Sequence, residues 1–425
     1  MNKSHSNWKE YSFKDFCDIT SSKRIFYREY VKSGVPFYRS KEIIAKSNGK
    51  ELNDCLYISK DRFEEIKNKY GIPINGDILI TAVGTYGIPY LINEDGDFYF
   101  KDGNLIWLKN IKNTANNKFL FYWLKSEEAK NKIEKIIIGS VQKALTIDAM
   151  KNIKINLPPL AEQKRIASIL SSFDDKIELN NKTNKILEEM AQTIFEEWFI
   201  NFNFPTANGK PYKKSGGEMI GSELGEIPKG WKIITIGDYA KLKSGFAFKN
   251  SWWQNDGIPV IKIQNISSGN LNFEQCSFVS EDKYNIAESF RVNGGDLLIS
   301  LTGSLGKFAI VPKLDKDALV NQRVGKFFLG EEPVKKLPFL YGILNELRDL
   351  IVSLANGSVQ QNISPTDIEN VKIIFPSDKM LNKYNNLMQD VFYKIIFNQR
   401  ENEKLSKIRD SLLPKLMAGE IRAKK

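Results

Sequence analysis

Two kinds of hydrophobic pattern alternate along the chain, and each occurs twice. Short apolar runs bounded by Gly, Pro or Gln-Asn, at residues 77–83, 260–263 and 296–302, predict β-strands. Each group of such runs precedes a long stretch in which apolar residues recur in steps of four and three, which predicts a long α-helix with one apolar face. The sequence therefore predicts two mixed α and β segments, each leading into a long helix.

A heptad seam marks each long helix. In the first stretch, residues 161–200 contain neither glycine nor proline, and the predicted seam is Ile166, Leu170, Phe173, Ile177, Asn180, Asn184, Leu187, Ala191, Ile194 and Trp198. In the second stretch the same spacing gives Tyr384, Met388, Val391, Ile395, Asn398, Asn402, Leu405, Arg409, Leu412 and Leu416. Arg409 interrupts the apolar seam, and the neighbouring Ile408 is expected to cover the gap. Pro414 is expected to kink or end the second helix near Leu413.

The first seam ends in a cluster of aromatic residues. Trp198, Phe199 and Phe202 are more aromatic than a two-helix seam requires. They are expected to pack the helix end against a globular domain or, alternatively, to dock a partner subunit.

The order of the segments predicts how the two helices pair. The first globular segment leads into the first helix. The second globular segment follows the C-terminal end of that helix, and the second helix begins where the second globular segment ends. Paired helices should then run antiparallel, as a coiled coil with an approximate twofold axis and a globular domain at each end. This arrangement places Asn180 opposite Asn402 and Asn184 opposite Asn398, where facing amides satisfy one another and fix the register. The alternative is that these asparagines lie on solvated faces of separate helices.

Repeated motifs indicate that a whole domain is duplicated. The run GDILITAVGTYG at residues 76–87 returns as GDLLISLTGSLG at 295–306, and GSVQ occurs at 139–142 and again at 357–360. The fold class predicted is α+β, with two similar mixed α/β domains separated by two long antiparallel helices that form a coiled coil with pseudo-twofold symmetry. The predicted boundaries are 1–158 for the first globular domain, 159–204 for the first helical region, 205–228 for a Gly- and Pro-rich linker, 229–376 for the second globular domain and 377–425 for the second helical region.

Composition narrows the possible chemistry. The chain has 62 Lys and Arg against 51 Asp and Glu, a net charge of +11, which favours a polyanionic partner such as nucleic acid. His5 is the only histidine, so Ser-His-Asp, Cys-His and multi-histidine metal sites are excluded. Cys17, Cys55 and Cys276 lack metal-site or disulfide spacing, and no apolar stretch approaches the roughly 18 residues of a membrane helix. A cytoplasmic protein without a metal site or a membrane span is expected.

Binding is the chemistry that remains. No GxxxxGK[ST] phosphate loop is present, and no GxGxxG loop follows a strand, so no cofactor site is expected in this chain. Side chains able to bind base edges or phosphates cluster near the repeated glycine loops. The candidates are Tyr38, Arg39, Lys41, Thr85, Tyr86, Gln142 and Lys143 in the first copy and Lys262, Gln264, Asn265, Ser304, Gln360 and Gln361 in the second. Gln142 and Gln360 are the strongest because GSVQ recurs intact, although a shared structural turn would also preserve it.

Three further motifs carry a resemblance to a known family. The segment LPPLAEQKRIASILSSFDDKIELNNKTNKILEEMAQTIFEEWF covers residues 157–199, LGEIPKGW covers 224–231 and KLMAGEI covers 415–421. Together they closely resemble the specificity subunit of Type I restriction-modification enzymes, and the resemblance covers nearly the whole chain. The second helix departs from the pattern because it begins SDKMLNKY at residues 377–384 and lacks the LAEQKRI opening. That departure puts equal affinity for two modification subunits in doubt.

The resemblance implies a division of labour. In that family each of two target-recognition domains reads half of a split, asymmetric DNA sequence, and the long helices set the spacing and help dock two modification subunits. Methyl transfer, ATP-driven translocation and cleavage then belong to the modification and restriction subunits, which would use S-adenosylmethionine, ATP and Mg²⁺, and this chain is not an enzyme. The alternative is an assembly scaffold whose globular ends bind protein and do not read DNA.

Overall fold

The computed structural model describes residues 7–49, 52, 54–93, 96–137, 143–267, 269–273, 276–355 and 361–423. The chain forms two compact units. Unit 1 consists of residues 1–178 and 405–425, and unit 2 consists of residues 179–404. The long first helix, α7, crosses the boundary in the sequence, and each unit contains one globular domain with segments of both long helices.

The first domain has ten strands and six short helices among its described residues. The strands are β1 (Lys9–Ser12), β2 (Asp18–Thr20), β3 (Tyr30–Val31), β4 (Val35–Tyr38), β5 (Leu56–Ile58), β6 (Ile78–Thr81), β7 (Pro89–Leu91), β8 (Tyr99–Phe100), β9 (Leu105–Lys109) and β10 (Lys154–Leu157). The helices are α1 (Phe13–Phe16), α2 (Ser40–Ser47), α3 (Lys60–Tyr70), α4 (Asn117–Lys125), α5 (Glu127–Glu134) and α6 (Ile147–Lys151), and α7 (Leu160–Phe195) follows.

Two four-stranded sheets form the frame of the first domain. One sheet is antiparallel with the order β2-β9-β6-β7, and the other has the order β3-β5-β4-β8, in which only β4 and β8 are parallel. The ends of the domain pair as β1 with β10. Strand β6 is buried along its whole length, which explains why its sequence is continuously apolar rather than alternating.

The second half of the chain contains the following elements. The strands are β11 (Met219–Ser222), β12 (Gly225–Pro228), β13 (Lys232–Thr235), β14 (Lys241–Ser244), β15 (Ile258–Ile261), β16 (Ile266–Ser267), β17 (Asn270–Leu271), β18 (Ser277–Val279), β19 (Arg291–Val292), β20 (Leu297–Ser300), β21 (Phe308–Ile310), β22 (Ala318–Val320), β23 (Val324–Phe328) and β24 (Lys372–Phe375). The helices are α8 (Ile236–Tyr239), α9 (Glu281–Ala287), α10 (Leu337–Glu346), α11 (Arg348–Ser353), α12 (Pro365–Glu369) and α13 (Asp378–Met417).

The second domain repeats the antiparallel sheet of the first and three strands of its mixed sheet, but the fourth strand differs, because β19 pairs with β22 whereas β3 pairs with β5. Its antiparallel sheet has the order β14-β23-β20-β21, and its mixed sheet has the order β18-β15-β22-β19 with β15 and β22 parallel. Strands β13 and β24 pair at the ends of the domain, as β1 and β10 do in the first. The predicted duplication of a mixed α and β domain is therefore confirmed. The predicted linker region contains the antiparallel hairpin β11-β12, so part of it is regular structure.

The repeated Gly-Asp pair before the central strand has a structural explanation. Asp77 accepts a hydrogen bond from the backbone N–H three residues before it and another, at 2.8 Å, from Trp107 Nε1. Asp296 accepts the equivalent backbone bond and forms a buried ion pair with Lys326 at 2.6 Å. The preceding glycine has a φ of 96° in the first domain and 89° in the second, a conformation that disfavours other residues. The motif thus closes the turn that starts each central strand.

In unit 1 the start of α7 is held by the C-terminal segment of the chain. Glu162 is buried and binds both Arg422 Nε at 2.7 Å and Arg422 Nη2 at 2.8 Å. Arg165 donates to the carbonyl of Ala423, and the fully buried Gln163 binds backbone groups of the first domain. The LAEQKRI motif therefore has contacts inside this chain.

The interruption of the second seam is filled by an ion pair. Arg409 is half-buried and donates to Asp174 of α7, which also accepts a hydrogen bond from Tyr122 of α4 at 2.5 Å. Ile408 is 45% exposed, so the expectation that it covers the gap is wrong. Of the two effects predicted for Pro414, a kink or an end of the helix near Leu413, the end is wrong, because α13 continues through Pro414 to Met417.

In unit 2 the predicted asparagine pairs are confirmed. Asn180 donates to Asn402 at 2.9 Å, and Asn398 donates to Asn184 at 2.8 Å. In unit 2 the contacting positions fall along α13 as they rise along α7. The predicted seam residues are all buried or half-buried: Ile166, Leu170, Phe173, Ile177, Asn180, Asn184, Leu187, Ile194, Trp198, Ile395, Asn398, Asn402, Leu405 and Leu412.

The aromatic residues at the end of α7 pack into the core of unit 2. Trp198, Phe199 and Phe202 are at most 8% exposed, and their rings contact those of Tyr384 and Trp231. Of the two alternatives, packing against a domain is therefore the correct one. In the part of the chain that the structure describes, no helix combines the length and the apolar character needed to cross a bilayer.

Candidate nucleic-acid interface

The start of α2 forms one edge of the candidate interface in the first domain. Arg39 is the N-cap residue, and its guanidinium binds the carboxylate of Glu42 at 2.8 Å. That same carboxylate accepts the backbone N–H of Arg39, and its hydrogen bonds raise the pKa of Arg39 above its ordinary value. Glu42 is only 1% exposed, so it holds the half-exposed cation in a fixed direction.

The neighbours of Arg39 differ in exposure. The ring of Tyr38 is buried and stacks on Phe98 with 4.8 Å between centroids, so its main contacts are within the core. Lys41 is exposed on the first turn of α2, and its ammonium pairs with Asp54 at 3.3 Å. An exposed lysine of this kind can exchange a surface ion pair for a phosphate at small cost.

The glycine loop after β6 lies beside this helix start. The carbonyl oxygen of Asn104 accepts hydrogen bonds from Ala82 N–H at 2.8 Å and from the hydroxyl of Ser40 at 3.3 Å, which links the loop to α2. Gly84 N–H donates to the carbonyl of Lys143 at 3.4 Å. The structure thus brings together three of the predicted segments of the first domain.

The exposed side chains of this loop are few. Thr85 and Lys143 are exposed, whereas Tyr86 is half-buried against the core of the first domain. Gln142 lies outside the described residues. A hydroxyl and an ammonium at one edge provide donors suited to base edges and phosphates.

The second domain builds the same edge from different residues. Lys262 occupies the cap position, and its backbone N–H donates to Asn265 at 2.8 Å. Asn265 is 1% exposed, and its Nδ2 donates to the carbonyl of Asn272, so both parts of its amide make contacts inside the domain. Lys262 Nζ lies 3.6 Å from the ring centroid of Trp253 and donates to the Ser277 hydroxyl at 2.7 Å. Burial lowers the pKa of the Lys262 ammonium.

The second glycine loop is placed as the first one is. Leu301 accepts a hydrogen bond from Ile363 N–H at 2.9 Å, which brings the segment after Gln361 against this loop. Ser304, Gln361 and Gln264 are all exposed. Gln360 lies outside the described residues, as does each complete GSVQ motif.

Sequence reasoning missed a pair of aromatic residues at this edge. Each domain has a 3₁₀ turn just before the mixed sheet, at Tyr27–Glu29 and at Asn250–Trp252. Tyr30 follows the first turn, and Trp253 follows the second and lies over the cap residue Lys262. The signal was present in the sequence, because IFYREY at residues 25–30 and WW at 252–253 concentrate aromatic residues between polar ones.

The described residues contain no group of three or more His, Cys, Asp and Glu side chains placed to hold a metal ion. Cys17 and Cys276 are buried, and burial raises the pKa of each thiol to about 12. Such thiols are poor nucleophiles. What the edge offers is a set of exposed donors at equivalent places in two domains.

Comparison with protein families gives a match over most of the chain. The family described as "Type I restriction modification DNA specificity domain" matches residues 5–189 and 228–407. The two matches include both globular domains and most of both long helices.

Individual relatives agree with this family match. The Type I restriction enzyme MjaVIII specificity subunit of Methanocaldococcus jannaschii is 28% identical over 370 residues, covering 85% of this chain and 83% of the relative. The MjaIX specificity subunit of the same organism is 33% identical over 320 residues, covering 73% and 70%. The crystal structure of the Type I restriction-modification S subunit from M. genitalium aligns with a TM-score of 0.56 at 18% identity, over 98% of this chain and 97% of that one. That structure supports the fold.

Proposed function

Because the chain belongs to the family of Type I restriction-modification DNA specificity proteins, we propose that its two domains read the two halves of one bipartite, asymmetric DNA target. The chain is the non-catalytic recognition subunit of a restriction-modification complex, in which other subunits carry out the chemistry. The proposed target-recognition domains are residues 1–158 and 229–376, with helical regions at 159–204 and 377–425 and a connecting segment at 205–228.

One observation carries this proposal: the same exposed positions recur in both domains with different side chains. Lys41 in the first domain corresponds to Gln264 in the second, and Lys143 corresponds to Gln361. An ammonium favours guanine or phosphate oxygens, whereas an amide can pair bidentately with adenine. Equivalent edges with different donors would suit two half-sites of different sequence. Within each edge the buried residues, such as Asn265, would act by fixing the direction of the cap residue.

The two helices are proposed to form an antiparallel coiled coil with approximate twofold symmetry that sets the distance between half-sites. The asparagine pairs and the opposite order of contacts along α7 and α13 support this arrangement. Helix α7 has 36 residues, which at 1.5 Å per residue is about 54 Å, or roughly 16 base pairs of B-DNA. A helix pair with a fixed register would make the spacer length a property of the protein.

The proposed partners are double-stranded DNA, two modification subunits and restriction subunits. S-adenosylmethionine would serve the modification subunits, and ATP with Mg²⁺ would serve the restriction subunits. The LAEQKRI motif binds other residues of this chain inside unit 1. We infer that α13 lacks the motif because its first turn packs against different residues of the chain. We therefore expect both modification subunits to bind despite this difference.

Domain replacement combined with methylome sequencing tests the proposal. Replacing residues 229–376 with the corresponding domain of a relative of different specificity should change one half of the methylated motif and leave the other half intact. Replacing residues 1–158 should have the reciprocal effect. If either replacement changes both halves, or if no bipartite motif is methylated, the assignment of one half-site to each domain is wrong. Normal assembly without any sequence preference on DNA would instead favour the assembly scaffold.

A further inference from the structure

An exposed aromatic turn projects from the first domain beside the candidate interface. Tyr27 is 88% exposed and Phe26 is 53% exposed, and both lie in the turn between the core residue Ile25 and strand β3. The guanidinium of Arg28 lies 5.7 Å from the centroid of the Phe26 ring. Neighbouring exposed apolar side chains on one turn mark a surface that binds another molecule more often than isolated ones do.

Contacts on the inner side make this turn rigid. The carboxylate of Glu29 accepts the backbone N–H of Phe26 at 2.7 Å and pairs with Arg62 of α3 at 2.8 Å. Ile25 is 4% exposed and packs in the cluster that contains Phe37 and Ile58. The only acidic side chain of the turn is therefore directed inward, and its outer side presents aromatic rings and the exposed Arg28.

The turn is continuous with the candidate interface. The ring of Tyr27 contacts that of Tyr30 with 5.7 Å between centroids, and Tyr30 in turn contacts Phe37 at 5.4 Å. Tyr30 also interacts electrostatically with Arg39, the cap residue of α2. Ring contacts thus lead from Tyr27 through Tyr30 to Phe37 of β4, the strand that ends directly before Arg39.

The corresponding turn of the second domain has no exposed aromatic ring at this place. Its sequence has Lys249 and Asn250, both exposed, where the first domain has Phe26 and Tyr27. Trp252 and Trp253 of that turn are only half-exposed, and Trp253 lies against Lys262. The projecting aromatic pair is therefore a feature of the first domain.

We propose that Tyr27, supported by Phe26, stacks against bases of the half-site bound by the first domain and partly unstacks one base step there. The proposal rests on the DNA-recognition function above and adds a contact that does not read hydrogen-bonding groups. Aromatic rings stack on any base, and apolar side chains inserted between base steps kink a duplex. The exposed guanidinium of Arg28 complements a phosphate beside such a step. The second half-site would remain undistorted.

Fluorescence of 2-aminopurine tests the proposal in the complete complex of this chain with its modification subunits. The base is placed at successive steps of both half-sites, except at the adenines that are methylated. Binding should raise the fluorescence at one step of a single half-site. Tyr27→Ala should abolish that rise and weaken binding about 10-fold, as expected for the loss of one base–aromatic stack. Tyr27→Phe should preserve both, and the matched variant Asn250→Ala should leave both unchanged.

The possible outcomes separate this proposal from the recognition function. If Tyr27→Ala binds the target within twofold of the wild type with the same fluorescence at every step, the stacking proposal is wrong while bipartite recognition stands. If Tyr27→Ala loses binding of the modification subunits while the fluorescence is unchanged, the turn is a protein contact, and this result would also overturn the stacking proposal. A wild-type complex without sequence preference would refute the recognition function itself. Because Tyr27 is almost fully exposed, circular dichroism should show the same folding for variant and wild type.

Discussion

The buried amide pair between Asn184 and Asn398 gives the sharpest prediction about the helices. The two side chains are 5% and 0% exposed, and the Nδ2 of Asn398 donates to the Oδ1 of Asn184 at 2.8 Å. Asn398→Leu removes the donor and leaves the buried oxygen of Asn184 unpaired. A buried polar group that loses its partner costs about 1–3 kcal/mol, so the free energy of unfolding should fall by about 2 kcal/mol.

The double variant should behave differently from the sum of the single ones. The Oδ1 of Asn398 is itself buried without a hydrogen bond among the described residues. Asn184→Leu combined with Asn398→Leu therefore removes an unsatisfied atom together with the amide pair, and it adds apolar surface to the seam. The double variant should recover most of the loss, which corresponds to a coupling energy of at least about 1 kcal/mol.

Urea unfolding of the four proteins in this cycle measures the coupling energy. Asn386→Leu is a matched control, because Asn386 is exposed on the same helix and its replacement should change the free energy of unfolding by less than about 0.5 kcal/mol. If the losses in the two single variants add in the double variant within about 0.5 kcal/mol, the two amides do not act as a pair. The reasoning about the register of α7 and α13 would then be refuted.

Three further variants test separate contacts. Arg409→Leu should lower the free energy of unfolding by about 2 kcal/mol in urea titrations, because Asp174 loses its ion pair; a loss below about 0.5 kcal/mol would contradict this. Burial raises the pKa of Asp77, so its contribution to stability falls as the pH rises from the ordinary carboxyl pKa towards the raised one. As the pH rises between these two pKa values, the free energy of unfolding of Asp77→Asn should therefore increase relative to that of the wild type. A difference between the two proteins that does not change with pH would contradict the raised pKa of Asp77. Lys41→Ala should weaken duplex binding and reduce the slope of log affinity against log salt by about one in filter-binding assays, whereas an unchanged slope would show that Lys41 does not contact a phosphate.

The duplicated domain and the long helices were predictable because they depend on patterns that the sequence displays directly. Strand β6 and strand β20 repeat one apolar run after one Gly-Asp turn, and in both domains the aspartate accepts the backbone N–H three residues before it, a contact that is local to the turn. The asparagine pairs were predictable for a related reason. A polar residue in an apolar seam has few possible partners, so the spacing of Asn184 and Asn398 fixes their register.

The corrections come from contacts that sequence spacing does not contain. Arg409 reaches Asp174, which lies outside the predicted seam, so a pattern of apolar positions could not reveal the ion pair. Pro414 lies in the last turn of α13, where its missing N–H removes one helical hydrogen bond while its carbonyl still accepts one from Ala418 N–H at 2.9 Å. An arginine in an apolar seam predicts a break in the helix contact, whereas here the carboxylate of Asp174 binds the guanidinium of Arg409.

The candidate interface was only partly predictable. A list of residues with suitable donors does not tell which side of a strand, helix or turn faces solvent, so it included the buried Tyr38 and Asn265 together with the exposed Lys41 and Gln264. The aromatic turn around Tyr27 was not among the predicted site residues, because those were chosen as hydrogen-bonding side chains and not as rings. Its exposure depends on how the turn is anchored through Glu29, which only the folded chain reveals.

The central claim is that the helices hold two DNA-reading domains a fixed distance apart. The most direct test of this claim uses the complex of this chain with its modification subunits. Its affinity is measured for duplexes that contain both half-sites, with the spacer between them shortened or lengthened by one to four base pairs. The account predicts a single favoured spacer length, with binding severely weakened by a change of one base pair. Equal affinity for spacers three or four base pairs longer would contradict it.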